Sequence, residues 1–422
     1  MVSIFRFKGA PDFDKLKQAI ETVMNKHELL VSKVTRDEDG RAFYSDNKEA
    51  NVVVNVELFE APDPDDDEDE YETMLDIALE WAQEEDTIPL NLAIGEYMHH
   101  GIFSDSVDTV WAISSHYLAG DAFSIQYLAR DVLKEYENPG STELVYYEQD
   151  SFNPIEAFES YGFNDQRQLK SLNKRWAREG KTFTWEEYQE MYDNFHAAYK
   201  LSTLTMSLDK ETSQAIIKKA KAEDKKLSAV ISAAFSAATE ERESFAYPLS
   251  TRPEAYEGVG VYGGSVTVTP PIKLRLDTSL EATIERVDDE LKAKSSDEEQ
   301  MQRSNIIISI LDGSLVDSAY YAAFAGYKTK SSETVRKMFS LDKAGEGMQI
   351  NNLGESVLDA EYSFGELNEY YYIPSMIYNF RRGVSFITHD EQLFFTSTFY
   401  QKPNVEILNL RRFKETLEGY AK

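Results

Sequence analysis

The sequence reads as an α/β chain of two lobes, each a mixed sheet flanked by helices. Strand-like and helix-like segments alternate up to about residue 140, a polar helix-prone stretch interrupts, and from about residue 201 the alternation starts again. At 422 residues the chain exceeds one ordinary core, since domains usually run roughly 100–200 residues. These observations divide it into an N-terminal lobe (1–145), a helical linker (146–200) and a C-terminal lobe (201–422).

Val2 to Phe7 alternates like a short strand. Asp12 to Leu30 carries Leu16, Ala19, Ile20 and Val23 at helical spacing. Leu29 to Val34 and Val52 to Leu58 read as strands, and Glu60 to Glu70 (EAPDPDDDEDE) as a like-charge loop without the glycine of a calcium loop. A helix follows from Tyr71 to Glu85. The apolar strand Val107 to Ser114 then runs into His116, and Ala122 to Glu135 forms a helix stopped by Asn138-Pro139-Gly140. In the second half, Leu204 to Leu208 leads into a helix from Asp209, and Leu227 to Glu240 forms another. Phe245 to Leu249 and Ser265 to Thr269 read as strands. Leu280, Ile284, Val287 and Leu291 mark a helix, and Val384 to Ile387 with Leu393 to Phe399 a hairpin around His389. The last helix begins near Val405.

The formal net charge of −31 repels nucleic acid and anionic lipid, both of which need clustered Lys and Arg. With Cys at 0, disulfides, thiolate metal sites and a cysteine nucleophile are excluded. Met1 to Lys8 has no apolar signal core and no run is long enough to span a bilayer, so a cytoplasmic protein without membrane contact is expected. No His, Asp or Glu cluster has metal-ligand spacing, and no metal is expected. Gly258, Gly260, Gly263 and Gly264 lack the following Lys-Ser/Thr of a phosphate loop and suit turns.

The most informative stretch is Ser115 to Ile125, SHYLAGDAFSI, between an apolar strand and an amphipathic helix. Side chains there project into a crevice at a sheet end. His116, Tyr117, Asp121 and Ser124 are its polar members. A histidine there suits a general base, and an aspartate equally suits a helix cap.

HYLAGDAFS resembles the HHxxxDGxS motif of condensation domains, polyketide-associated acyltransferases and alcohol acyltransferases, which share a chloramphenicol-acetyltransferase-like fold. His116 matches the first His, Tyr117 the second, Asp121 the Asp, Ala122 the Gly and Ser124 the Ser. DFDKLKQAIETVMNKHELLVSKV resembles the family's first helix, and LSAVISAAFSAA the helix opening the second lobe. YPLSTRP and GVGVYGGSVTVTPP resemble that lobe's Arg-bearing strand and crossover, and Asn352-Leu353-Gly354 an Asn-Leu-Gly signature of standalone members.

The resemblance implies two lobes around a central tunnel within one chain, hence a monomer. It implies acyl transfer from a thioester, on coenzyme A or the phosphopantetheine arm of a carrier protein, to a small hydroxyl or amine acceptor, with no permanently bound cofactor. It places Asp121 in a loop-holding role with Arg252 as partner, and Ser124, Asn352 and Gly354 along the tunnel. Tyr117 stands where the family has its catalytic His, and a phenol with a pKa of about 10 is a poor base. Three readings stay open: a bulge turns His116 into the tunnel, Tyr117 serves as an acid or oxyanion donor, or the chain binds without transferring. The basic clusters Arg167–Lys181 and Lys218–Lys226 are candidate borders of a donor entrance. His99-His100 reads as a surface hairpin, and His27 as a cation at a helix end.

Overall fold

The structure is a computed structural model. It describes residues 1–37, 42–46, 56–60, 73–105, 107–146, 158–159, 161–239, 244–250, 266–268, 272–273, 279–296, 303, 306–339, 341, 347–375, 380–400 and 403–422. The crossover glycines Gly258, Gly260, Gly263 and Gly264, the acidic run after Glu60, and Arg252 lie outside these.

Two six-stranded mixed sheets organise the molecule. The first runs in the order Glu361–Tyr362, Gly365–Ile373, Val2–Lys8, Asp108–Ser115, Met98–Ser104, Val56–Glu60. All neighbours are antiparallel except Val56–Glu60, which lies parallel to Met98–Ser104. The second runs Ile272–Lys273, Ser244–Ala246, Met348–Glu355, Arg382–His389, Gln392–Phe399, Ser202–Ser207. Met348–Glu355 is parallel to both of its neighbours, and the other pairs are antiparallel. Two small hairpin ladders complete the set, Ser32–Arg36 with Ala42–Asp46 and Pro248–Ser250 with Val266–Val268.

The expected helices form, and their caps explain where they start. Asp12 caps Phe13–Lys26 through Lys15 N, and the predicted stripe of Leu16, Ala19, Ile20 and Val23 is buried. Thr73 and Asp76 form a capping box on Met74–Glu85, and Asp209 caps Lys210–Ala222. Leu227–Thr239 is buried around most of its circumference, as its apolar composition requires. The linker helix Phe163–Glu179 buries Leu169, Leu172 and Trp176 against Leu311, Leu315, Ala319 and Val335 in a third apolar cluster. Asn173 ties that contact by donating to Ile310 O at 2.7 Å and accepting from Asp312 N at 3.0 Å. Among the described residues, no helix is long and apolar enough to cross a membrane.

The hairpin around His389 is observed, closed by Asp390 and Glu391, both at positive φ (44° and 63°), the backbone of a two-residue turn that follows strand twist. The segment Phe245 to Leu249 divides into Ser244–Ala246 and Pro248–Ser250, which belong to different ladders. Gly365–Ile373 joins the first sheet although it follows most of the second half in sequence. Where it enters, Gly9 and Gly365 pass so closely that a Cβ on either would lie 2.0 Å from a backbone oxygen of the facing segment.

In the second lobe the last helix, Pro403–Ala421, is anchored by a buried ion pair. Arg382 Nη2 lies 3.3 Å from Glu406 Oε2, and Glu406 also accepts from Ser397 Oγ at 2.6 Å and Asn409 Nδ2 at 3.0 Å. Glu406 stands in the first turn, where a negative charge meets the positive helix end. Removing one member takes its main counter-charge from a buried ion, so Glu406→Ala is expected to cost about 3–5 kcal/mol. The check is a urea denaturation midpoint, which should fall with an unchanged m-value.

Candidate functional site

The site is built where strand Asp108–Ser115 ends. His116 continues in an extended conformation (φ −87°, ψ 146°), and its backbone N–H donates to Tyr97 O at 2.9 Å. Its imidazole Nδ1 accepts from Leu118 N at 3.0 Å, which starts the short 3-10 turn Tyr117–Ala119. Gly120 follows at φ 145° and ψ 175°, a conformation essentially reserved for glycine. Asp121 then caps Ala122–Glu137: its Oδ1 accepts from Ser124 N at 2.8 Å and Ser124 Oγ at 3.0 Å, while Ser124 Oγ accepts from Asp121 N at 3.3 Å. The Asp and Ser of the motif therefore close the loop upon itself.

This loop turns Tyr117 toward a cavity of about 50 Å³ between the sheets. Tyr117, Asp121 and Tyr372 line it from the first lobe's elements, and Leu249, Asn351, Asn352 and Leu353 from the other side. The Tyr372 hydroxyl donates to Met1 Sδ at 3.4 Å. Burial pushes the Tyr117 phenol above its ordinary 10, and burial with the nearby Tyr117 pushes Tyr372 well above it. Both are neutral hydrogen-bond donors at neutral pH.

His116 is not among the cavity-lining side chains. No bulge interrupts the register of Asp108–Ser115 against its neighbours, so adjacent side chains keep to opposite sides. Because Nδ1 accepts, the proton sits on Nε2. Burial lowers the imidazole to about 4, so it is neutral at neutral pH and weakly basic.

On the opposite wall, Asn352 Nδ2 donates to Ser228 Oγ at 3.0 Å, and its Oδ1 accepts from Gly354 N at 2.9 Å. The register with Arg382–His389 shifts between Asn352 and Glu355, and this irregularity lets Leu353 pack into the first lobe's core. Gln126 Nε2 reaches Leu353 O at 3.4 Å, a further tie between the lobes. Gly354 lies in the irregular stretch of strand Met348–Glu355, at φ 69°, and does not line the cavity, whereas Asn352 does. Tyr372 and Asn351 escaped the sequence reading, and Leu353 entered it only as part of the Asn-Leu-Gly signature. Their signal, alternation within GELNEYYYI and MQINNLGE, was present but had no partner strand to give it meaning.

His27, His99 and His100 lie away from the cavity lining. YMHHGIFS does form a hairpin with Asp108–Ser115, but it is an interior, buried strand of the first sheet and not a surface one. His100 is fully buried and accepts from Trp111 Nε1 at 3.3 Å. His99 is held between Glu85 Oε2 at 2.7 Å and Glu96 Oε1 at 3.1 Å. His27 does end a helix, but it is buried and lowered to about 4 by desolvation, so it supplies no cationic cap. Neither basic cluster contributes to the cavity lining; Arg175 lines a separate open groove with Lys328 and Lys330. Among the described residues, no group of three or more His, Asp or Glu could hold a metal ion.

The sequence matches the condensation-domain family model over residues 1–301. No curated protein matches the chain in sequence. The fold is similar to the first condensation domain of the calcium-dependent antibiotic synthetase, at TM-score 0.61 and 13% identity, covering 100% of this chain and 91% of that one. It is also similar to SgcC5 protein from Streptomyces globisporus, at TM-score 0.58 and 13% identity over 100% and 92% of the two chains. Polyketide synthase associated protein 5 from Mycobacterium tuberculosis gives 0.58 and 12% over 100% and 94%. At these identities the structural likeness carries the fold alone.

The Glu85 carboxylate raises His99 to about 9, first through its hydrogen bond, against the opposing effect of burial. Such a group stabilises the fold fully below pH 6.5 and loses that contribution as pH rises through about 9. Wild type and His99→Gln, compared by urea denaturation at pH 6, 8 and 10, should differ most at pH 6 and converge at pH 10.

Proposed function

The chain belongs to the condensation-domain family, whose members transfer acyl groups held as thioesters on phosphopantetheine arms, and we propose that it is an acyltransferase in which Tyr117 donates a hydrogen bond to the acyl carbonyl and no side chain acts as general base. What supports this is the placement of Tyr117: a neutral phenol, and not an imidazole, lines the cavity between the two sheets. A donor aimed where negative charge develops on the carbonyl oxygen favours the tetrahedral intermediate. A phenol with a raised pKa suits that role and not proton abstraction.

The missing base narrows the acceptor. A hydroxyl must lose its proton to become a competent nucleophile. An amine with an ordinary α-amino pKa of about 8 is partly neutral at pH 7–8 and attacks a thioester unaided once positioned. We therefore assign a small amine as acceptor, and a thioester on a carrier protein or coenzyme A as donor. The active site lies within one cytoplasmic monomer, between lobes 1–145 and 201–422 joined by 146–200. Asp121 and Ser124 hold the loop, with Arg252 assigned to Asp121 by the family pattern, and Asn352 holds the facing wall through Ser228 and Gly354. The low basicity of His116 and the raised pKa of Tyr117 also favour a second reading, a member that binds the thioester without transferring it.

Purified protein with a small thioester donor should acylate amines in preference to matched alcohols. Tyr117→Phe should lower kcat about 100-fold, the usual loss for one oxyanion donor. His116→Ala should change kcat less than about tenfold, since a general base contributes roughly 100-fold or more. Its melting temperature should drop, because the Leu118 cap is lost. Between pH 6 and 8 the rate should follow only the titration of the amine. Saturable thioester binding without turnover would establish the second reading, and a loss of 100-fold or more in His116→Ala would restore His116 as base.

A further inference from the structure

The second sheet has two unlike faces. One buries Met348, Ile350, Val384, Phe386, Leu393 and Phe395 in the second lobe's apolar core. By strand alternation the other face carries Leu353, Ile387 and Phe394, which join the first lobe's cluster, and then turns polar. Register sets Asn351, Ser385 and Thr396 side by side there, with Gln349, Thr398 and Thr203 one step further along the strands. All six are buried. A buried face of this composition needs hydrogen-bond partners. We infer that Asn351, at the cavity end of this polar face, is a specificity-determining residue that hydrogen-bonds a carboxamide carried by the acceptor amine. The inference rests on the acyl-transfer reading above for the amine, while recognition of the carboxamide is a binding property independent of turnover.

Asn351 lines the same cavity as Tyr117. Its Oδ1 accepts from Gln349 Nε2 at 2.8 Å, and its Nδ2 donates to Ser385 Oγ at 3.1 Å. These two bonds hold the amide in one orientation. A side-chain amide has two N–H donors and an oxygen that accepts twice, so one donor and one acceptor place remain on Asn351. The chain of bonds is also open at both ends among the described residues. Gln349 Oε1 is buried without a hydrogen-bond partner, and the Ser385 hydroxyl accepts from Asn351 with its own proton still to give. The wall therefore offers donors and acceptors together. A carboxamide, which has both, is its complement. A carboxylate only accepts, and the described lining holds Asp121 and no Lys or Arg to balance it. An ester lacks the N–H, and an alkyl group would leave both kinds of site unpaired, which is the costly outcome.

The test compares glycinamide with methyl glycinate as acceptors, using one small thioester donor. Both present a primary amine beside a carbonyl group, and only the first can donate from its far end. Wild type should favour glycinamide about tenfold in kcat/KM, the worth of one or two hydrogen bonds. Asn351→Leu, of similar size, should abolish the preference, with the loss for glycinamide appearing in KM. Gln349→Leu should abolish part of it, because the Asn351 amide is no longer held from both ends. Should either variant fail to fold, the wild-type comparison decides alone, and equal rates for the two acceptors would overturn the assignment. A second measurement needs no turnover: saturation-transfer NMR of glycinamide on the protein without donor should give a signal that acetamide competes away and that Asn351→Leu lacks. Transfer to amines with no amide preference would overturn the Asn351 assignment and leave the acyl-transfer reading standing. A glycinamide signal that depends on Asn351, in a chain that transfers to no acceptor, would sink the acyl-transfer reading and leave the carboxamide site.

Discussion

Strand Gly365–Ile373 hydrogen-bonds to Val2–Lys8 along nearly its whole length, and the site depends on that pairing. Val2 faces Ile373 and Lys8 faces Glu366, with one shift between Arg6 and Phe7. Joining segments so distant in sequence carries a loop-closure cost, which apolar burial and a hydrogen-bonded ladder must offset. Phe5 packs between Trp111 and Tyr370 at centroid distances of 5.5 and 4.6 Å, and Arg6 bridges Asp108 and Glu369 on either side. Register matters because a slip by one residue would exchange the faces of the strand. Such a slip would carry Tyr372 away from Tyr117 and bring Tyr371, which packs on Phe394, in its place.

The same strand ties the lobes together. Its far end meets the second sheet through Tyr371 with Phe394 and Thr396 with the Tyr372 carbonyl. Leu353, Ile387 and Phe394, all from second-sheet strands, belong to the first lobe's apolar cluster. The cavity is thus walled by two lobes that share a continuous core at its edge.

The chemistry follows from desolvation. In a motif loop of this shape the side chain after His116 turns to the cavity, while His116 is spent as the acceptor for Leu118 N and held neutral by burial. A neutral phenol at this place offers the cavity a proton donor, where an imidazole could accept. The Asp121–Ser124 capping box and the Asn352–Ser228 bond hold the loop and the facing wall around it.

Much of this was legible in one dimension. The stripe of Leu16, Ala19, Ile20 and Val23, the caps at Asp12, Asp121 and Asp209, and the strand leading into SHYLAGDAFSI are local, and local spacing alone predicts them. So is the exchange of Tyr117 for histidine. The burial of YMHHGIFS was hidden because its histidines look polar, and only its place inside the sheet, paired with Asp108–Ser115, buries His100 on Trp111. His27 could be placed at a helix end from sequence, but its neutrality comes from burial, which depends on what packs over it. Tyr372 is one tyrosine in a run of three, and nothing near it in sequence marks it out. Its place beside Tyr117 is set by strand register between segments far apart in the chain, a non-local choice made by the packing of two cores.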